Sequence, residues 1–124
     1  MDHINVGDGV PLPAGAYSHA VVAAGLLFTA GQGPISPDDG TIVGNSIEEQ
    51  TSQALRNIER VLAARGKTFA DLVKVTVHLA NVSRDFAGFD ARYRELVPQP
   101  YPARTTVGSD LPGILVEIDV VALA

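Results

Sequence analysis

LVKVTVHLANV, residues 72–82, alternates between apolar and polar side chains. Val73, Val75, Val77 and Leu79 fall on one side of an extended chain, and Lys74, Thr76 and His78 on the other. Such a strand has one face in a core and the other in a wetter place. The stretches on either side follow a different period. Upstream, Ile47, Thr51, Ala54, Leu55, Ile58, Val61 and Leu62 recur at helical spacing. Ser46 followed by Glu49 has the pattern of a capping box at the start, and Gly66 is a natural stop. Glu48, Gln53, Arg56, Glu59 and Arg60 form the opposite face. Downstream, Phe86, Phe89, Tyr93, Leu96 and Val97 form the apolar stripe of a second helix, ended by Pro98 and Pro100.

Further out, SHAVVAAG and LLFTAG read as two strands joined in a hairpin around Gly25. Pro11, Pro13 and Gly15 make the first breaks, and GPISPDDGTIVG is turn punctuation, with Asp38, Asp39 and Gly40 as a turn. ARTTVGS and ILVEIDVVALA are the last two strands, and a further short strand is expected near Ile4–Val6. Two helices cannot cover both faces of a sheet of five or six strands. The expected architecture is therefore α+β, a sheet with both helices packed on one face, as a single domain over residues 1–124. The other face is left partly apolar and uncovered, and a second copy of the chain is the commonest cover for such a surface.

Composition narrows the function classes. Apolar residues at 46% and charged residues at 19% suit an ordinary soluble globular protein. No cysteine is present, which removes disulfides, thiolate catalysis and cysteine-bound metal. The net charge of −5 and the scattered basic residues argue against nucleic acid as a partner. The longest apolar run, Ala20 to Phe28, is too short to span a bilayer, so no membrane is expected and a cytoplasmic setting is. His3, His19 and His78 match no metal-binding spacing, though His19 follows Tyr17 by two residues and is expected to face the same side.

The C-terminal segment raises the chemical question. Val116, Ile118, Val120 and Ala122 share one face, which puts Glu117 and Asp119 on the other with Leu115, Val121 and Leu123. Arg104 and Thr106 also share a face. If the two strands are neighbours, Arg104 and Glu117 line one pocket. An arginine and a glutamate so placed form either a salt bridge or a working pair. In the working pair, the arginine fork holds a carboxylate and the acid handles a water or a proton.

GAYSHAV, FTAGQGP, YPARTTVGSDLP and VEIDVVAL occur in the order and near the spacing of the RidA/YjgF family, and the chain resembles that family over almost its whole length. The resemblance implies a subunit similar to the bacillary chorismate mutase fold and a homotrimer with sites between subunits. It implies no cofactor and no metal. The implied activity is hydrolytic deamination of reactive 2-imino and 2-enamino acids to 2-keto acids and ammonia. Arg104 matches the arginine that grips the substrate carboxylate, and Glu117 the acid that holds the water. Tyr17 matches a cleft tyrosine, Gly31 a glycine whose backbone approaches the ligand, and Thr106 a position that offers its backbone carbonyl. Two departures stand out: Ala30 replaces a serine, and Asp90 replaces an asparagine, which puts a carboxylate where an anionic substrate is expected. The turn around GSDLPGI, residues 108–114, is also shorter than in archetypal members. A trimeric carboxylate-binding regulator without chemistry is the alternative. A ribonuclease or translation inhibitor, as some family names suggest, fits the acidic charge poorly.

Overall fold

The computed structural model describes residues 1–5 and 12–124. The elements are β1 (Asp2–Ile4), β2 (Ala20–Ala23), β3 (Leu26–Thr29), α1 (Ile47–Ala63), β4 (Leu72–Leu79), α2 (Val82–Leu96), β5 (Ala103–Gly108) and β6 (Val116–Leu123). The six strands form one mixed sheet in the order β1-β2-β3-β6-β4-β5. The short N-terminal strand sits at Asp2–Ile4, slightly before its expected place; Val6 and Pro11 lie outside the described residues.

Local chemistry explains the elements. Ala24 and Gly25 both have positive φ, 54° and 75°, which gives the β2–β3 hairpin the tight two-residue turn that suits strand twist. Ser46 Oγ accepts the Glu49 backbone N–H at 3.1 Å and caps α1. The Glu49 carboxylate accepts from the Ser46 hydroxyl at 3.0 Å rather than from its backbone N–H, so the expected reciprocal box is only half made. The reciprocal box occurs instead at Thr68 and Asp71, ahead of β4. Asn81 caps α2 by accepting the Arg84 N–H.

β4 and β5 run parallel, and α2 is the crossover that a parallel pair needs. β6 lies antiparallel between β3 and β4. Val75, Val77 and Leu79 on β4 and Val116, Ile118, Val120 and Ala122 on β6 are buried beneath both helices, against Ala54, Leu55, Ile58, Leu62 and Phe89. Each large aliphatic side chain buried there contributes about 1.5–3 kcal/mol. The helices approach closely at Gly88, where a Cβ would meet Ile47 Cγ2 at 2.8 Å.

Three expectations need correction. Val73 does not join the buried face. The pairing of β4 with β6 steps from Leu72 to Lys74, so Val73 is a bulged residue and is 44% exposed. The α2 stripe is narrower than its apolar residues suggest: Phe89, Tyr93 and Val97 are buried, whereas Phe86 and Leu96 are exposed. Gln53 is buried, not solvated, together with Gln50, Thr51 and Asn57. These amides serve loop backbone that no ladder reaches. Gln50 donates to Gly44 O at 3.0 Å and accepts from Leu115 N at 2.8 Å. Asn57 donates to the carbonyls of Gly33 and Ile35, both at 2.9 Å.

The helix-free face carries Phe28, Val107, Val121 and Leu123 around a polar centre. There Lys74 donates to Thr105 Oγ1 at 2.7 Å. His78 lies 2.7 Å from Ser109 Oγ through Nδ1 and 3.6 Å from Asp119 through Nε2. No helix among the described residues is long and apolar enough to cross a membrane.

Candidate active site

The sequence-predicted residues fall into two groups that do not meet within one chain. β5 and β6 flank β4 on opposite sides and are not neighbours. Arg104 is level with buried Val75 and Thr106 with buried Val77, so both belong to the helix-covered face. Glu117 is level with His78 and alternates with buried Ile118, which puts it on the other face. The single pocket expected from adjacent strands is therefore absent among the described residues.

The first group surrounds Glu117 in a cavity of about 150 Å³. Tyr17, His19, Gly31, Gln32, Asn57 and Ile114 are among the residues that line it. Residues 30–33 are laid along β6 by reciprocal bonds, Gln32 N to Ile118 O at 2.7 Å and Ile118 N to Gln32 O at 3.0 Å. That places Gly31 directly against the acid. A Cβ on Gly31 would stand 2.7 Å from Glu117 Cδ, so only glycine leaves the carboxyl where it is. Ala30 is half-buried and donates its N–H to His19 O at 2.8 Å. His19 is buried, with the Gln32 amide 3.3 Å from its Nδ1, and meets the Tyr17 ring edge-on. Tyr17 itself is half exposed and its hydroxyl accepts from Ala14 N at 3.1 Å.

The second group surrounds Arg104 in a cavity of about 230 Å³, lined by Asp90, Tyr93, Arg94, Tyr101 and Pro102. Arg104 Nη2 donates to Asp90 Oδ1 at 2.9 Å, and Arg94 Nη2 donates to Asp90 Oδ2 at 2.8 Å. The bond from Arg94, and then that from Arg104, holds the Asp90 carboxyl below its ordinary range. The guanidinium carbon of Arg104 is 4.7 Å from the Tyr93 ring centre and 5.3 Å from that of Phe89, a cation–π setting. Burial pushes the Tyr93 phenol up, against the pull of Arg104. Among the described residues, the Tyr93 hydroxyl and Thr106 Oγ1 are buried without a hydrogen-bond partner.

Chemically, one cavity offers a carboxylate that can accept a proton, and the other a stacked cation that can hold an anion. Among the described residues no group of three or more His, Asp and Glu gathers in a way that could hold a metal ion. A family model described as endoribonuclease L-PSP matches residues 9–124. The chain belongs to the endoribonuclease L-PSP family, the RidA/YjgF proteins. Within the L-PSP family, a RutC family protein of Pyrococcus horikoshii is 41% identical over 124 residues, covering 98% of each chain. Reactive Intermediate Deaminase A, chloroplastic, of Arabidopsis thaliana is 38% identical over 96 residues, covering 77% of this chain and 51% of that one. The crystal structure of RidA from the Antarctic bacterium Psychrobacter superposes with a TM-score of 0.92 at 29% identity, covering 100% of both chains. The L-PSP fold is thus the one described above, two helices on one face of a mixed sheet.

Asn57, Gln32 and Arg94 belong to this setting and went unnoticed in the sequence. Arg94 was legible in principle, since it follows Asp90 by one helical turn. For Asn57 and Gln32 the telling partners, the Gly33 and Ile35 carbonyls and the His19 ring, lie farther along the chain.

Proposed function

We propose that the protein hydrolyses 2-imino and 2-enamino acids to 2-keto acids and ammonia. The sites are clefts between copies of the chain in a homotrimer, each joining the Arg104 side of one subunit to the Glu117 side of another. The observation that carries this reading is the split itself. Arg104 and Glu117 open into separate cavities on opposite faces of one sheet, so each half lacks its complement until a second copy supplies it. The likeness to a reactive intermediate deaminase supports the chemistry.

The mechanism follows from the groups. Arg104 binds the substrate carboxylate and so brings the C=N carbon beside a water held by Glu117. Glu117 accepts a proton from the water as the C–O bond forms, and the C=N electron pair moves to nitrogen, which takes up a proton. A further proton transfer from oxygen to nitrogen lets the C–N bond break, leaving the keto acid and ammonia. An enamine first takes a proton on carbon to become the imine. Tyr17 and the backbone at Gly31 and Thr106 shape the cleft, with Ala30 where a hydroxyl contact is lost. The reading places this chemistry in the cytoplasm, with no nucleic acid or membrane partner.

The test generates imines with an amino-acid oxidase and traps them with semicarbazide. Wild type should lower the trapped product, and Arg104→Ala or Glu117→Gln alone should not. Unfolding and refolding the two variants together should restore roughly a quarter of the wild-type sites, because each composite site needs both halves intact. No recovery in a trimeric mixture would refute sites shared between subunits. A second reading, a regulator that binds carboxylates without turning them over, is favoured by one observation: Asp90 already occupies Arg104. It predicts saturable keto-acid binding and no hydrolysis above the spontaneous rate.

A further inference from the structure

Asp90 puts a carboxylate on the very cation assigned to the substrate. It sits on α2 across from β5, with one oxygen on Arg104 at 2.9 Å and the other on Arg94 at 2.8 Å. Asp90 and Arg104 are both mostly buried, while Arg94 is mostly in solvent. The Arg104 guanidinium is therefore engaged twice before any ligand arrives, at its edge by Asp90 and on its face by Tyr93 and Phe89. A guanidinium has five N–H donors and Asp90 takes one, so an incoming carboxylate can still be held. It must bind beside a fixed negative charge.

We infer that Asp90 is a built-in competitor for Arg104, which weakens the hold on any monocarboxylate, and that Arg94 is the partner to which Asp90 yields when a ligand takes Arg104. The inference rests on the assignment of Arg104 as the carboxylate-binding cation. Its physical basis is the arithmetic of three charges. Two arginines and one aspartate leave a net positive site, so anions still bind. The third charge lowers the attraction for the first carboxylate, substrate or product alike. Asp90 keeps a full salt bridge with Arg94 in either state, so the exchange at Arg104 strands no carboxylate. A site built this way releases its 2-keto acid product readily and works best where substrate is plentiful.

A rigid clamp would behave in the opposite way. If Asp90 served to hold Arg104 in its productive pose, removing its charge would loosen the arginine and weaken binding. The two roles thus differ in sign.

The experiment is calorimetric binding of pyruvate to the whole protein, with KM and kcat measured in parallel in the semicarbazide assay. Asp90→Asn keeps the shape of the side chain and removes its charge. It should bind pyruvate about tenfold more tightly and lower KM by a similar factor. Asp90→Ser, a smaller uncharged side chain, should move in the same direction, which guards against a folding artefact in either variant. Arg94→Gln should weaken binding severalfold, since Asp90 would then have only Arg104 to pair with, and the loss should be smaller in the Asp90→Asn background. Weaker or unchanged pyruvate binding by Asp90→Asn overturns the inference, as does failure of both proteins to bind pyruvate. Tighter binding without turnover by either protein sustains the inference and removes the deaminase reading. Turnover by wild type with Kd and KM unmoved in Asp90→Asn does the reverse.

Discussion

Gly31→Ala tests the geometry around Glu117 with one methyl group. The added Cβ would lie 2.7 Å from Glu117 Cδ, 2.9 Å from Cγ and 3.0 Å from Oε1. Carbon atoms rest at about 3.5–4.0 Å, so the carboxyl must retreat by roughly 1 Å. The backbone cannot yield in its place, because the neighbouring Gln32 is bonded both ways to Ile118 in the centre of the sheet. Gly31 does not have the positive φ that would strain an alanine. Replacing it reduces the freedom of the unfolded chain, worth about 0.4–1 kcal/mol, and this offsets the cost of moving the acid. Stability should therefore change little. Activity should not be spared, since a displacement of about 1 Å in a reacting group costs on the order of a hundredfold in rate. The expected result is a fall of that size in kcat in the trapping assay, with a melting temperature near that of wild type. Wild-type kcat in a folded Gly31→Ala protein would refute the assignment of Glu117 as the acid whose position matters.

Thr29→Val removes the oxygen that accepts the Val120 N–H at 2.9 Å and strands a donor in the buried sheet; thermal unfolding should show a loss of about 1–2 kcal/mol, restored by Thr29→Ser. Asn57→Ala frees the carbonyls of Gly33 and Ile35 and should lower urea stability by about 2–3 kcal/mol, with a reduced kcat because the wall of the Glu117 cavity loosens. The acid limb of stability should carry a signature of Asp90. Its native pKa is depressed below 3.8 by Arg94 and then Arg104, so its contribution is full above about pH 4 and is lost as pH falls through the native value. The stability gap between wild type and Asp90→Asn, at most about 1 kcal/mol after solvent screening, should therefore stay constant from neutral pH down to about pH 4 and narrow only below it in urea titrations.

The alternation of β4 was legible because Val75, Val77 and Leu79 obey a local rule that burial enforces. Val73 obeys the same rule on paper and breaks it in the fold, since a bulge depends on the register of β6, more than forty residues away. Polar patterning misplaced Gln53 for a related reason. Its side chain is drawn inward toward Asn57, one helical turn on, and toward the carbonyl of Ile35, a distant loop group that the helical pattern does not announce. Tyr17, Gly31 and Glu117 line one cavity. Arg104 stands apart because strand order is a tertiary fact: inserting β4 between β5 and β6 separates residues that a simple hairpin would have joined. The carboxylate of Asp90 was visible as a departure from the family pattern, but the two arginines that hold it were not read with it.

The place of β6 also shapes how the protein is made. It is the last strand in chain order, yet it fills the middle of the sheet. Before it emerges from the ribosome the sheet is two unjoined pieces, β1-β2-β3 and β4-β5, each presenting an open edge where β6 will sit. The β4-α2-β5 piece, with Arg104 and Asp90, is built from contiguous sequence and is able to form early. The Glu117 side instead waits for contacts such as Thr29 with Val120, 91 residues apart. Nascent chains stalled before Val116 should thus stay sensitive to protease and prone to edge-to-edge association, and addition of the last strand should protect them in a single step.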